Sequence, residues 1–194
     1  MNLFYPLVLF IHVLSAMALF IAIGFEGWTL ARLRAAENIA RLREPARTSR
    51  RLGAIYGPAF LGLVVSGIYL AWQMHLRAAW VPLALGGTLL TGAISVVTGT
   101  NMSRLRKGLA QSEPSFENLR ALARSNTLLV AYGLRTGMAV GLVFLMTVTP
   151  AAIPSLAALV IASILGIFFG LGFRRASGSP SALENGESEA TLRP

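Results

Sequence analysis

A few polar side chains fall inside or at the edge of long apolar stretches, where burying them is costly and marks them as candidates for function. Arg135 is the one basic residue well inside such a stretch, at 126–148. Glu26 lies near the end of the first apolar stretch. Counted from the same membrane face, the two differ in depth by about 5 Å at the rise of an α-helix, which an arginine side chain spans. The spacing predicts an intramembrane ion pair between Glu26 and Arg135. That pair could tie two helices together, or bind an anionic or protonatable substrate; Arg135 could instead snorkel to the surface.

His12 and His75 are the two histidines of the chain. Both fall toward the face opposite Glu26, and His12 lies roughly 21 Å from Glu26 along the helix, too far to share a site. Two membrane histidines could ligate one haem iron axially, which makes haem b the candidate cofactor. A copper site from the same pair with Met74 is a further option on ligand type. The plain alternative is that His12 hydrogen-bonds a neighbouring helix and His75 is an interfacial loop residue. Ser66, Tyr69 and Gln73, with Gly62, share one helix face. This polar stripe could line a small cavity near His12 or serve interhelical hydrogen bonding.

Composition removes most other chemistry. The chain has no cysteine and no aspartate, and a single lysine, Lys107, beside sixteen arginines. Thiolate chemistry is excluded, and most lysine or paired-carboxylate arrangements with it. Gly86-Gly87 sits in an apolar run with no strand before it and is not a phosphate loop. No hydrolase, kinase or nucleotide-binding motif occurs, which points away from an enzyme. The net charge of +9 does not indicate nucleic acid, because the cations lie between apolar runs, where membrane topology places them. The arginine bias fits a GC-rich bacterial genome.

The elements that must position these residues are membrane helices. Of 194 residues, 55% are hydrophobic and 13% charged, about half the charge of a typical soluble domain. Apolar runs at about 4–30, 52–73, 80–100, 126–148 and 153–173 predict an all-α, polytopic bundle of five spans. Ala16-Met17-Ala18 mimics a signal-peptide cleavage site. No Lys or Arg precedes the run, though, and it continues to Trp28, so an uncleaved span is expected. Residues 31–51 read as a basic amphipathic extension of the first helix that Pro45 should stop. Its basic face could rest on anionic lipid headgroups, or it could be a solvated loop that only sets orientation. A helix beginning near Ser112-Glu113-Pro114 is expected to run unbroken into the fourth span. The Ser-, Gly-, Glu- and Pro-rich tail at 176–194 is expected to be a disordered cytoplasmic segment.

Small residues recur at every fourth position in three spans: Gly133, Gly137 and Gly141; Gly87, Thr91, Ser95 and Gly99; Ala158, Ala162, Gly166 and Gly170. Such rows let helix backbones approach closely in lipid. They could pack one chain into a tight bundle or join copies in a homo-oligomer. Arg135 lies about 200° around the helix from Gly133 and Gly137, off the glycine seam.

The opening Leu9-Phe10-Ile11-His12-Val13-Leu14-Ser15-Ala16 resembles the first helix of uncharacterised bacterial inner-membrane proteins. It is also loosely similar to the first helix of copper-resistance D-type membrane domains, where a histidine follows a short apolar run. The second resemblance implies a bundle of four or more helices handling a metal or haem near the outer face, with His12 as the residue carried over.

The expectation is therefore a multi-pass protein of the bacterial inner membrane, non-enzymatic, with a structural or ligand-binding role. The alternatives are a small transporter or permease subunit using Glu26 and Arg135, or a haem- or metal-linked redox protein using His12. Orientation follows from charge. Loop 31–51 carries seven basic residues, loop 101–125 carries five, and Arg174-Arg175 follow the last span, against Arg77 alone on the other side. Basic loops stay cytoplasmic, which puts the amino terminus outside and the carboxyl terminus inside. A periplasm-dependent phosphatase fused at Arg77 should be active and one fused within 101–125 inactive; the reverse pattern would invert the topology.

Overall fold

A computed structural model describes residues 4–73 and 80–176. All its elements are α-helices: α1 (Phe4–Ala35), α2 (Ile39–Gln73), α3 (Trp80–Leu109), α4 (Phe116–Ala123), α5 (Asn126–Val148) and α6 (Ala152–Ala176). Five helical stretches are long and apolar enough to cross a bilayer: α1, α2, α3, α5 with α4 leading into it, and α6. The expectations for His75 and for the tail beyond Ala176 fall outside the described residues. The outer surface of the spans is apolar, with Phe10, Ile21, Leu61, Val96, Ile153 and Phe168 exposed, as a lipid-facing surface requires.

Three helices extend beyond their apolar runs. α1, α2 and α3 have 32, 35 and 30 residues. At about 1.5 Å per residue each exceeds a hydrocarbon core of about 30 Å. The excess lies at the end where the arginines cluster, the basic side. There Leu33, Leu42, Leu105, Leu119, Ala123 and Leu128 bury one another in a hydrophobic core of their own. The apolar face of the 31–51 stretch is therefore occupied by protein, while Arg41, Arg43 and Arg47 remain exposed.

Two helix boundaries differ from expectation. Pro45 does not end a helix; it lies within α2. The chain turns earlier, at residues 36–38, where the Asn38 side chain accepts from the Arg41 backbone N–H at 2.9 Å and caps the new helix. Pro45 removes one backbone hydrogen bond, but its ring is fully buried in the basic-side core, and that packing offsets the loss. The second difference is that α4 does not run unbroken into α5. Arg124 and Ser125 interrupt it, and the Ser125 hydroxyl accepts from the Thr127 N–H at 3.2 Å. Arg34 and Arg124 hold this break against the end of α1: each side chain donates to the other's backbone carbonyl, at 2.8 and 3.3 Å.

The closest packing is between α5 and α6. A Cβ on Gly133 would strike the Gly166 carbonyl, and one on Gly137 the Ala162 carbonyl. On Gly166 a Cβ would strike the backbone of α5 at Gly133 and Gly137. Two of the small-residue rows thus meet each other within one chain, backbone to backbone. Thr149 makes the tight turn between the two helices in a left-handed conformation, φ 48°, and its N–H caps the Leu145 carbonyl at 3.0 Å. Near this turn, a second small core joins Ala84, Leu142, Leu145 and Leu159. α1 and α2 pair through smaller contacts, with Gly62 against Ser15 and Gly67 against His12.

Gly57 faces open space: a methyl group added there would meet nothing within 4 Å. The same change should therefore have opposite results at two glycines. Gly137→Ala should cost about 1–3 kcal/mol or prevent folding, whereas Gly57→Ala should be neutral or slightly stabilising. Equal melting temperatures for the two variants in detergent would mean that α6 does not sit on this seam.

Candidate functional site

Four helices converge on Arg135. The residue lies midway along α5, and its side chain is 3% exposed. Its Nη2 is ion-paired with Glu26 Oε2 on α1, a carboxylate 18% exposed. From Nη1 it donates to Ser95 Oγ on α3 at 3.2 Å. The guanidinium carbon lies 5.4 Å from the ring centroid of Tyr56 on α2, within cation–π range. The Tyr56 hydroxyl and Ser95 Oγ are 2.6 Å apart, and Ser95 donates to its own helix at Thr91 O, 2.8 Å away. Arg135 Nε is buried and makes no hydrogen bond among the described residues.

The interior needs this degree of satisfaction. Moving a guanidinium out of water costs several kcal/mol, which a countercharge offsets only with good geometry and with the remaining donors bonded. Glu26 supplies the charge, Ser95 an acceptor, and Tyr56 the electron-rich face of a ring. Each comes from a different helix, so Arg135 links α1, α2 and α3 to α5.

Beside this network a cleft of about 220 Å³ opens toward the basic side. Its charged lining is Arg50 on α2, Arg106 on α3, Arg135 and Glu26, three cations against one anion. Arg50 is exposed and Arg106 half-buried. Gly53 and Gly99 also border the cleft, and each has open space where a side chain would be. The chemistry available is capture of an anion: fixed guanidinium donors in a partly dry setting, with hydroxyl groups alongside.

The other sequence candidates lie elsewhere. His12 borders a cavity of about 530 Å³ at the far end of the bundle, lined largely by apolar side chains, among them Leu63, Leu70, Trp72 and Trp80. Its Nδ1 is 3.0 Å from Ser66 Oγ. Ser66 in turn donates to the Gly62 carbonyl, and Tyr69 accepts from Gln73 Nε2 at 3.1 Å. The proposed partner of His12, His75, is outside the described residues, and so is Met74. Among the described residues no three His, Cys, Asp or Glu side chains lie together as a metal-binding group would require. Tyr5 and Met146 border the same cavity as His12.

Glu26 and Arg135 are legible in the sequence as a pair; Tyr56, Arg50 and Arg106 are not legible there as members of the site, and Ser95 reads only as a packing residue. A signal for Ser95 was present. Thr88, Thr91, Ser95 and Thr98 recur at spacings of three and four, a hydroxyl stripe along α3. The glycine row on α5 faces α6, away from this site. No family model matches the chain, and no curated protein or solved structure is significantly similar to it.

Removing one member of a buried ion pair strands the other, which costs about 3–5 kcal/mol. Arg135→Gln should lower the melting temperature in detergent sharply, because Glu26 then lacks a counterion. The double variant Glu26→Gln/Arg135→Gln should recover much of the loss. If Arg135→Gln melts like the unmodified protein, the pair contributes nothing to stability.

Proposed function

We propose that this multi-pass membrane protein is a non-enzymatic component that binds a small anion in the cleft beside Arg135. On this reading it lies in a bacterial plasma membrane with the basic side toward the cytoplasm and the amino terminus outside. The observation that carries the binding role is the excess of cations at the cleft, Arg50, Arg106 and Arg135 against Glu26 alone. A tie between two helices needs one cation and one anion. It needs neither a cleft nor two further arginines at its rim. The orientation rests on the clustering of basic residues at one end of the bundle.

A second reading, transport of the same anion, is favoured by three cavities that border one another in succession. The cleft shares Tyr56 with a small apolar cavity of about 60 Å³. That cavity shares Leu63, Thr88 and Met146 with the large one near His12. Between the first two, Tyr56 stacks on Phe60 with ring centroids 6.0 Å apart, and the Phe60 ring fills the space in front of Gly92. This aromatic pair would be the point of closure on such a path.

Binding to the folded state stabilises it by about 2.7 kcal/mol at a hundredfold excess over Kd. Across a panel of carboxylates, phosphate and sulfate, at least one anion should raise the melting temperature of the purified protein, and Arg50→Gln with Arg106→Gln should weaken that response. A panel with no stabilising anion would overturn the binding role. Proteoliposome uptake of the stabilising anion separates transport from binding alone.

A further inference from the structure

An anion entering the cleft meets a guanidinium whose Nη2 is already engaged by Glu26. We propose that the ligand is a small carboxylate that replaces Glu26 on Arg135, and that Glu26 takes up one proton as it is displaced. The proposal rests on the reading of the cleft as an anion site.

The carboxylate class follows from what the site already holds. Arg135 presents one nitrogen to a carboxylate oxygen and another to Ser95, an arrangement a free carboxylate can take over group for group. The Tyr56 hydroxyl is close by, bonded to Ser95. Ala22, Leu30 and Met102 give the cleft an apolar wall, suited to a short aliphatic chain.

The proton follows from charge. With the ligand on Arg135, two carboxylates share one region of low dielectric. Arg50 is exposed and Arg106 half-buried at the solvated rim, and neither is ion-paired with Glu26 among the described residues. A Glu26 that has lost Arg135 is left with burial and a second carboxylate nearby, both of which favour its neutral form. The charged and titratable groups around Glu26 are few. α2 offers Arg50 and Tyr56, α3 offers Arg106, and α5 offers Arg135 and Tyr132, whose hydroxyl lies over Gly27. None is a second acid. Arg135 is the one cation paired with Glu26 among the described residues. Glu26 is therefore the group that accepts the proton. The balance is simple: one ligand anion and one proton enter together, the Glu26–Arg135 ion pair becomes a ligand–Arg135 ion pair, and Glu26 becomes a neutral acid. The net charge of the cleft is unchanged by the exchange, and Arg135 keeps a countercharge throughout.

The sign of the pH dependence is set by that uptake. Affinity rises as pH falls, by about tenfold per pH unit for one proton taken up. The test is titration calorimetry of the full chain in detergent with butyrate, which stays ionised between about pH 6 and about pH 8. Titrations in two buffers of different ionisation enthalpy should give about one proton taken up per butyrate bound. Glu26→Gln, which keeps the shape of the side chain, should bind butyrate independently of pH, with no proton uptake, and more tightly at neutral pH. Butyrate binding without proton uptake in the unmodified protein overturns the exchange and leaves the anion site standing. Sulfate binding as tightly as butyrate overturns the carboxylate class. Absence of binding by any anion at any pH in this range defeats both the exchange and the underlying reading.

Discussion

A guanidinium cannot lie among apolar helices without a countercharge and acceptors, and this bundle supplies them to Arg135 from three other helices. Glu26, Tyr56 and Ser95 approach from α1, α2 and α3. Because each contributes one group, the position of any one helix is constrained by the others. The interaction is costly to set up and costly to break.

Close packing in lipid has a different origin. Apolar side chains gain nothing by leaving lipid for one another, so helices associate by backbone proximity and polar contacts. The α5–α6 seam takes the first route, with glycine and alanine along both partners. α5 uses one face for that seam and another for Arg135, which accounts for its burial. The paired helices α1 and α2 take a mixed route through Ser15, Gly62 and the His12–Ser66 hydrogen bond. On the basic side the rules revert to those of a soluble domain. There the ends of α1, α2 and α3 pack with α4 around Leu33, Leu42 and Leu105, and exposed arginines cover the outside. This small core also steadies the cleft, whose rim residues Arg50 and Arg106 stand on the helices that form it.

Much of this architecture is legible from residue type and spacing. Apolar length determines five helices able to span a membrane, because the thickness of a bilayer sets a length that residues must fill. Period-four glycine determines that α5 has a close-packed face, because a missing side chain permits an approach that no other residue allows. An arginine placed deep inside an apolar span demands an acid, and Glu26 is the acid within reach in the spans. Local sequence is a poorer guide where packing overrides it. Pro45 is a helix breaker by propensity, yet its ring is held in a core assembled from helices far apart in the chain, and the break falls instead at the Asn38 cap. The helix expected to cross residues 124–125 unbroken is interrupted where Arg34, ninety residues earlier, bonds the Arg124 carbonyl. Only the tertiary structure decides that α6 fills the glycine seam, that Tyr56 and Ser95 complete the environment of Arg135, and that Arg50 and Arg106 border the same cleft. Those residues lie on separate helices, and no periodicity along one helix encodes which neighbour it will face.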